Sequence, residues 1–325
     1  MPVEIQALEA MLRSFLHAAN RVRVSDVTPL VGGFSAESAR VRGAYDTRDG
    51  AHELDLVVRQ APVDGVLAPY DLARESRILK ALQDSPVPVA RVIGCDPVGE
   101  FLGQPCLVTA FVSGEPLPFF GESITADDPR LPAYFGMLAT IHTLDWAALG
   151  LDFLDEPAGP VEVELLRSQA RLAYHGGANS TEEDMLTWLR SNMPDDGRTS
   201  FVHGDPNHAN YLFAGTQIAA VLDWELALLG DPRLDLGFYA AAQSVFGEGD
   251  RLDTNAFVRG YAVANPDVNL QHLDYFEAAC LYRFAAFLRA AERQRSVEVQ
   301  ELRRRLIERF DRVVAGGTEA NAAER

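Results

Sequence analysis

One segment of the sequence carries most of what the chain says about its fold and chemistry. It reads HGDPNHAN over residues 203–210, then the apolar run IAAVL over residues 218–222, and then DWE over residues 223–225. A glycine and a proline interrupt regular structure at its start, and the apolar run predicts a strand. A hairpin between the two ends would bring Asp205, Asn210 and Asp223 together.

These three oxygen-bearing side chains suit two chemical roles. Asp205, at the head of the loop, would accept the proton of a substrate hydroxyl, and Asn210 and Asp223 would bind a hard cation such as Mg²⁺. The alternative is that each residue only forms a turn or caps a helix, as Asp and Asn often do. Their occurrence together at this spacing favours the functional interpretation, and phosphoryl transfer requires these parts.

The segment 201–237 resembles the aminoglycoside phosphotransferase and choline kinase superfamily. The pattern of that superfamily is H-G-D, four residues, N, then D after a strand, then G-D-P-x-x-D-L. Here it is present at His203 to Asp205, Asn210, Asp223 and Gly230 to Leu236.

The resemblance implies a protein-kinase-like fold, with ATP and Mg²⁺ as cofactors. By the same resemblance, Asp205 is the catalytic aspartate, and Asn210 and Asp223 are the metal ligands. His203 and Asp235 would be structural braces of the catalytic loop.

The first third of the chain is predicted to be β-rich. Strand patterns cover residues 22–31, 39–45, 52–59, 89–95 and 106–112, with one helix at 72–82. Helical patterns cover residues 4–20, 127–146, 161–174, 180–190, 233–245, 253–264, 270–293 and 297–315, with Ser180 opening a capping box and a frayed tail after Gly316.

This pattern predicts an α+β, protein-kinase-like two-lobe fold. We expect an N-terminal β-rich nucleotide-binding lobe over residues 1–112, built on a five-stranded antiparallel sheet. A C-terminal α-rich lobe over residues 113–325 would provide catalysis and substrate binding.

Two further segments of the β-rich lobe are candidates for nucleotide binding. Gly32, Gly33, Phe34 and Ser35 follow a strand, and glycine lets backbone N–H groups approach phosphate closely. A plain hairpin turn is the alternative for this loop. The segment of Ala110, Phe111 and Val112 would be the hinge whose backbone reads the adenine edge, although any buried edge strand has a similar sequence.

Arg59 and Glu75 occupy positions where kinase-like folds have a phosphate-binding lysine and its glutamate partner. Lys80 is the only lysine and lies elsewhere on the helix. The alternative is an exposed strand-end arginine and a solvated glutamate. The subgroup associated with acyl-CoA dehydrogenases often has arginine here, and the stretches at residues 56–62 and 74–79 look like that subgroup.

Composition narrows the class of protein. The 325 residues carry a formal net charge of −18, which argues against nucleic-acid and anionic-membrane partners. No window has the roughly 18 uninterrupted apolar residues of a membrane-spanning helix. Three cysteines without paired spacing, and an N-terminus without an apolar stretch, predict a cytoplasmic location.

The sequence thus predicts an ATP- and Mg²⁺-dependent phosphotransferase that acts on a hydroxyl of a small molecule. An aminoglycoside, a hydroxylated metabolite and a hydroxy-acyl compound all remain open as acceptors, as do GTP as donor and the oligomeric state. The alternative is a pseudokinase that binds nucleotide, which Arg59 supports.

Several other polar residues have candidate roles. His142 is expected to be structural, and His208 either contacts substrate or is exposed. The candidate substrate determinants on the late helices are Tyr239, Gln243, Tyr275, Glu277, Tyr282 and Arg283.

Overall fold

The computed structural model describes residues 4–17, 20–30, 37–62, 65–117, 124–154, 158–247, 252–291 and 297–323. The chain forms two compact units. We call residues 1–84 with 88–113 the β unit, and residues 85–87 with 114–325 the helical unit.

The β unit consists of one sheet and two helices. Its elements are α1 (Ile5–Phe15), β1 (Arg21–Leu30), β2 (Glu37–Thr47), β3 (Gly50–Gln60), α2 (Leu72–Leu82), β4 (Val92–Asp96) and β5 (Cys106–Ala110). The strands pair antiparallel in the order β1-β2-β3-β5-β4. The predicted five-stranded antiparallel sheet with one inserted helix is confirmed.

Alternation along β3 gives the sheet two different faces. Leu54, Leu56 and Val58 are buried on the face that α1 covers with Leu8, Met11 and Leu12. Successive side chains of a strand point to opposite faces, so Arg59 lies on the face away from α1. The side of the sheet on which Arg59 lies is therefore set by the alternation of side chains along β3.

In its described residues, the helical unit is built from seven α-helices and two small sheets. Its elements are β6 (Glu115–Pro116), α3 (Leu131–His142), α4 (Glu162–Tyr174), α5 (Ser180–Ser191), β7 (Ser200–Val202), β8 (Tyr211–Ala214), β9 (Gln217–Val221), β10 (Leu228–Gly230), α6 (Arg233–Phe246), α7 (Thr254–Ala264), α8 (Leu273–Ala291) and α9 (Val297–Ala323). Strand β7 pairs with β10, and β8 pairs with both β6 and β9.

Helices α6 and α8 pack closely at the centre of this unit. A Cβ atom on Gly237 of α6 would lie 2.4 Å from the backbone of Phe276 in α8. Glycine therefore permits this close approach of the two backbones. Among the described residues, no helix has the length and apolar character needed to span a membrane.

Several predicted helix ends differ from the structure, since the helices predicted at 4–20 and 127–146 are observed as Ile5–Phe15 and Leu131–His142. Two further differences have a clear physical reason. The N-cap of α5 is Asn179 rather than Ser180, because Asn179 has the extended backbone that a cap needs and its side chain accepts a 3.2 Å hydrogen bond from the Glu182 N–H. The tail after Gly316 continues α9 to Ala323 instead of ending it. Glycine lowers helix propensity without terminating a helix whose preceding turns are anchored by buried Leu306, Phe310 and Val313.

Replacing Leu12 with alanine tests the packing of α1 on the sheet. Leu12 is fully buried, so Leu12→Ala should lower the free energy of unfolding by about 2–5 kcal/mol in urea titrations followed by circular dichroism. Ile5→Ala, on the same helix but 52% exposed, is the matched control and should change it by less than about 0.5 kcal/mol. Equal effects of the two substitutions would show that α1 does not pack as described.

Candidate active site

The loop after β7 and the β8–β9 hairpin bring Asp205, Asn210 and Asp223 into one region. The side-chain N–H of Asn210 donates to the backbone oxygen of Asp205 at 3.0 Å. The backbone oxygen of Asn210 accepts a 2.8 Å hydrogen bond from the N–H of Leu222, the residue before Asp223. Asn210 therefore links the two segments that carry the carboxylates.

The backbone of Asp223 is held in a conformation that few residues adopt. Its φ is 65°, in the left-handed region where Asp is tolerated better than most residues. The next residue, Trp224, is fully buried and stacks on Phe201 with ring centroids 5.5 Å apart. Its indole N–H donates to the oxygen of Val221 at 3.1 Å. The tryptophan thus anchors the turn that positions Asp223.

The carboxylates of Asp205 and Asp223 bring negative charge together in this region. Burial, and then the neighbouring charge of Asp223, raise the pKa of Asp205 to about 7, although hydrogen bonds from Asn207 and Asn210 oppose the shift. A bound cation would offset this charge. Because the amide nitrogen of Asn210 faces Asp205, its amide oxygen is the end suited to a cation.

The donor set fits Mg²⁺ better than a metal held by a protein cage. Within the described ranges, no group of three or more His, Cys, Asp or Glu side chains is arranged to hold a metal ion. Mg²⁺ commonly binds through only one or two carboxylates and keeps several waters. The carboxylate of Asp223 and the amide oxygen of Asn210 are ligands of that kind.

Asp235, at the start of α6, holds the loop that carries Asp205. The fully buried carboxylate of Asp235 accepts hydrogen bonds from the backbone N–H groups of His203 at 3.0 Å and Gly204 at 2.8 Å. It also contacts the Nε2 atom of His142 at 2.9 Å. The other ring nitrogen of His142 lies 2.6 Å from the hydroxyl of Tyr261. His142 is thus a buried link between α3, α6 and α7.

The ring of His203 connects the loop to the segment before Asp223. The N–H of Asp205 donates to Nδ1 of His203 at 3.2 Å, so Nε2 carries the ring hydrogen and donates to the oxygen of Leu222 at 2.9 Å. Burial lowers the pKa of His203, which agrees with this neutral tautomer. The two ring atoms therefore tie Asp205 to the Asp223 segment.

Two carbonyl groups of the loop are bound by side chains that sequence patterns did not single out for this role. Arg283 of α8 donates to the oxygen of Gly204 at 2.6 Å and pairs with the buried Glu164 of α4. Tyr134 of α3 donates to the oxygen of Pro206. Arg283, a candidate substrate determinant, is a buried support of the loop, because its two terminal nitrogens bind Gly204 and Glu164.

Other predicted substrate determinants are also occupied by internal contacts. Tyr239 stacks on Phe257 with ring centroids 3.8 Å apart, and its hydroxyl donates to the oxygen of Leu252. Glu277 accepts two hydrogen bonds from Arg309, at 2.6 and 2.7 Å. His208 is 2% exposed and packs edge-on against aromatic rings, so the alternative that it is exposed is excluded.

Arg59 and Glu75 form an ion pair inside the β unit. The Nη1 atom of Arg59 lies 2.5 Å from the Oε1 atom of Glu75, and the side chains are 18% and 2% exposed. The alternative of an exposed arginine and a solvated glutamate is therefore excluded. The pair lies on the sheet face that α1 leaves uncovered.

The remaining nucleotide-site predictions have different outcomes. Gly32, Gly33, Phe34 and Ser35 lie outside the described residues. In the hinge segment, the N–H of Ala110 donates to the oxygen of Arg91 and the N–H of Phe111 donates to the oxygen of Asp55. These two amides are occupied within the β unit, so they are not available to a base.

Comparison with known proteins places this geometry in a family. A family model described as "Phosphotransferase enzyme family" matches residues 26–268. The chain belongs to this family. Acyl-CoA dehydrogenase family member 10 of Mus musculus is 32% identical over 205 residues, which cover 58% of this chain and 18% of the mouse protein. The chain thus corresponds to a small part of that relative.

Solved structures of phosphotransferases share the fold. A candidate aminoglycoside phosphotransferase from Ralstonia eutropha is 21% identical with a TM-score of 0.69, covering 97% of this chain and 99% of that one. A mutant of aminoglycoside phosphotransferase APH(4)-Ia in complex with AMP-PNP and hygromycin B is 16% identical with a TM-score of 0.58, covering 96% and 98%. The predicted kinase-like α+β fold and the family resemblance are confirmed.

Replacing Asp235 with asparagine tests the support of the loop. Asn keeps the shape, but its NH₂ group cannot accept from a backbone N–H, so Asp235→Asn should cost about 1–3 kcal/mol of unfolding free energy at neutral pH. Asp195→Asn, at an exposed position, is the control and should have little effect.

The pH dependence of this loss gives a second readout. Burial alone would raise the pKa of Asp235, but the hydrogen bond and charge of His142, and the other donors, hold it below its ordinary value. The stabilisation is present above the ordinary carboxyl pKa and is lost as the pH falls through the lowered one. The two proteins should therefore converge in stability in acid, and a constant difference would contradict this role of the carboxylate.

Proposed function

We propose that the protein is an ATP- and Mg²⁺-dependent phosphotransferase that moves the γ-phosphoryl group of ATP to a hydroxyl of a small molecule. The observation that carries this proposal is the grouping of Asp205, Asn210 and Asp223 on a loop whose backbone is bound at Gly204 on both its N–H and its carbonyl group. Family membership supports the same reaction class.

Asp205 would act on the acceptor. Its carboxylate would accept a hydrogen bond from the acceptor hydroxyl, orient the oxygen towards the γ-phosphorus, and take the proton as the new bond forms. Orientation is worth as much as basicity in a loose transition state, because little nucleophilic push is needed. The hydrogen bonds at Gly204 and Pro206 would keep this carboxylate in place.

Other residues would hold the donor nucleotide. Asn210 and Asp223 would hold Mg²⁺, which neutralises phosphate charge when bound. In the β unit, Arg59 would bind phosphate oxygens while Glu75 fixes its direction, the loop of Gly32 to Ser35 would cover the phosphates, and Ala110 to Val112 would contact the base. APH(4)-Ia binds AMP-PNP, a nucleotide of the ATP type.

The pseudokinase alternative has less support. It depends on arginine replacing the usual lysine at residue 59. In the structure Arg59 keeps the short ion pair with Glu75, and the guanidinium keeps the positive charge that phosphates require. A chain freed from catalysis would not need this pair together with Asp205, Asn210 and Asp223.

The acceptor is a separate question from the reaction class. An aminoglycoside is a polycation and needs carboxylates that are available to it. In the part of the helical unit that the structure describes, Glu164, Glu182 and Glu277 are each paired with an arginine. We therefore favour a hydroxylated metabolite such as a hydroxy-acyl compound, which also suits the similarity to an acyl-CoA dehydrogenase family member. The cytoplasmic location stays a prediction.

Asp205→Asn tests the reaction. The substitution removes proton acceptance and keeps the side-chain size, so phosphoryl transfer should fall by at least about 100-fold. Transfer would be measured as ATP consumption in a screen of hydroxylated metabolites and antibiotics. ATP–Mg²⁺ binding, followed as a shift in melting temperature, should be nearly unchanged. Wild-type transfer rates in this variant would remove Asp205 from the chemistry.

Arg59→Ala tests the nucleotide site. Loss of the guanidinium should weaken ATP–Mg²⁺ binding by about 10-fold or more in calorimetric titrations, since a charged hydrogen bond to phosphate is lost. Arg42→Ala is the matched control, because Arg42 lies on the neighbouring strand β2 with 53% of its side chain exposed. If both variants bind ATP as the wild type does, Arg59 is not part of the site.

A further inference from the structure

Three arginines converge beside the catalytic loop of the helical unit. Arg167 and Arg171 lie one turn apart on the same face of α4, and Arg283 reaches them from α8. Arg283 binds the oxygen of Gly204 at 2.6 Å, and Arg167 binds the oxygen of Ala227 at 3.2 Å. The cluster thus contacts both segments that carry the active-site carboxylates.

The carboxylates near the three arginines are largely engaged in other contacts. Glu164 and Glu225 interact with Arg171, and Asp235 interacts with Arg283. Glu164 is already bound by Arg283 and by the hydroxyl of Ser168 at 2.8 Å. Glu164, the largest opposing charge on Arg171, is therefore already hydrogen-bonded to other groups.

Arg171 has the fewest polar contacts within the cluster. Its guanidinium carbon lies 4.9 Å from the ring centroid of Phe287. Its Nε atom is buried and has no hydrogen-bond partner among the described residues. Burial, and then the charges of Arg167 and Arg283, lower the pKa of Arg171 to about 10 against the opposing effect of Glu164. A bound anion would offset both the burial and the repulsion.

We propose that Arg167 and Arg171 form a subsite for an anionic group of the phosphoryl acceptor. The acceptor is then a hydroxyl compound that also bears an oxyanion, either a carboxylate or a phosphate. This inference rests on the proposed phosphotransferase function and names the chemical class of its substrate. A guanidinium offers a planar set of N–H donors that matches such oxyanions, whereas a polycationic acceptor would be repelled.

The three arginines lie where a bound anion would place the acceptor for the reaction. Arg283 binds the carbonyl group next to Asp205, and Arg167 binds the chain four residues after Asp223. An acceptor held by its anion on α4 would therefore have its hydroxyl close to the catalytic loop. The anionic group would select the substrate and orient it, and Asp205 would act on the hydroxyl.

Matched pairs of acceptors test this proposal. ATP consumption is measured for 3-hydroxybutyrate against its methyl ester, and for glucose 6-phosphate against glucose, so that each pair differs in the anion and keeps a hydroxyl. Binding of the same compounds is measured by calorimetry on protein saturated with ADP–Mg²⁺, which occupies the nucleotide phosphate site. We expect binding or turnover only with anionic members, and the two pairs distinguish carboxylate from phosphate.

Substitutions at α4 provide the second arm of the experiment. Arg171→Gln and Arg167→Gln should each raise the KM or Kd of the anionic compound by about 10- to 100-fold, with the KM for ATP unchanged. Arg171→Lys should give a smaller increase, because it keeps the charge and loses the planar set of donors. Arg190→Ala is the control, since Arg190 is an exposed arginine of α5 that contacts α4 at Gln169.

Each outcome decides between the two proposals. Equal use of neutral and anionic members, or an unchanged KM or Kd in Arg171→Gln, overturns the subsite. If ATP–Mg²⁺ binds but no anionic member binds or reacts, the subsite is wrong and the proposed reaction stands. If ATP–Mg²⁺ fails to bind, the proposed reaction is wrong, and the calorimetry still decides whether the arginines bind an anion.

Discussion

Asp235 lies fully buried at the start of α6, where its carboxylate accepts hydrogen bonds from the backbone N–H groups of His203 and Gly204 and contacts His142. Burying an ionised carboxylate costs several kcal/mol unless donors replace the lost water. The N–H groups of His203 and Gly204 replace that water, and the same hydrogen bonds fix the loop backbone at these two residues. Asp205 follows Gly204 directly, so the position of its carboxylate depends on this contact.

Further buried contacts complete the support of the loop from other helices. Arg283 binds the carbonyl oxygen of Gly204, and Tyr134 binds that of Pro206. The rigid loop then presents Asp205 near Asp223, where their charges repel each other and favour a cation. Arg167 and Arg171 of α4, in contrast, bring positive charge close to the same segments. In the proposed function, the site would combine a place for Mg²⁺ with a place for an oxyanion, the latter formed by local clustering of arginines in a chain of net charge −18.

Much of the fold was predictable because it depends on local patterns. Alternating apolar residues predict the sheet, and helical periodicity bounded by prolines predicts α2 at Leu72–Leu82, as observed. The support of the site was less predictable, since it depends on distant pairs. Arg283 lies 119 residues from Glu164 and 79 from Gly204. Nothing local distinguishes a buried arginine that binds a loop carbonyl from one that binds a substrate, and the sequence therefore did not reveal the contact of Arg283 with the loop.

The amino-acid sequence by itself determined the family, the fold class and the residues placed in the phosphoryl-transfer motif, because that motif lies within one short stretch whose spacing is set by a hairpin. Tertiary structure decided how these residues are held and what lies beside them. The ion pair of Arg59 with Glu75, the burial of His208 and the convergence of Arg283 of α8 with Arg167 and Arg171 of α4 arise from packing of separate helices and strands. Burial and charge balance depend on that packing, so a local sequence pattern does not predict them.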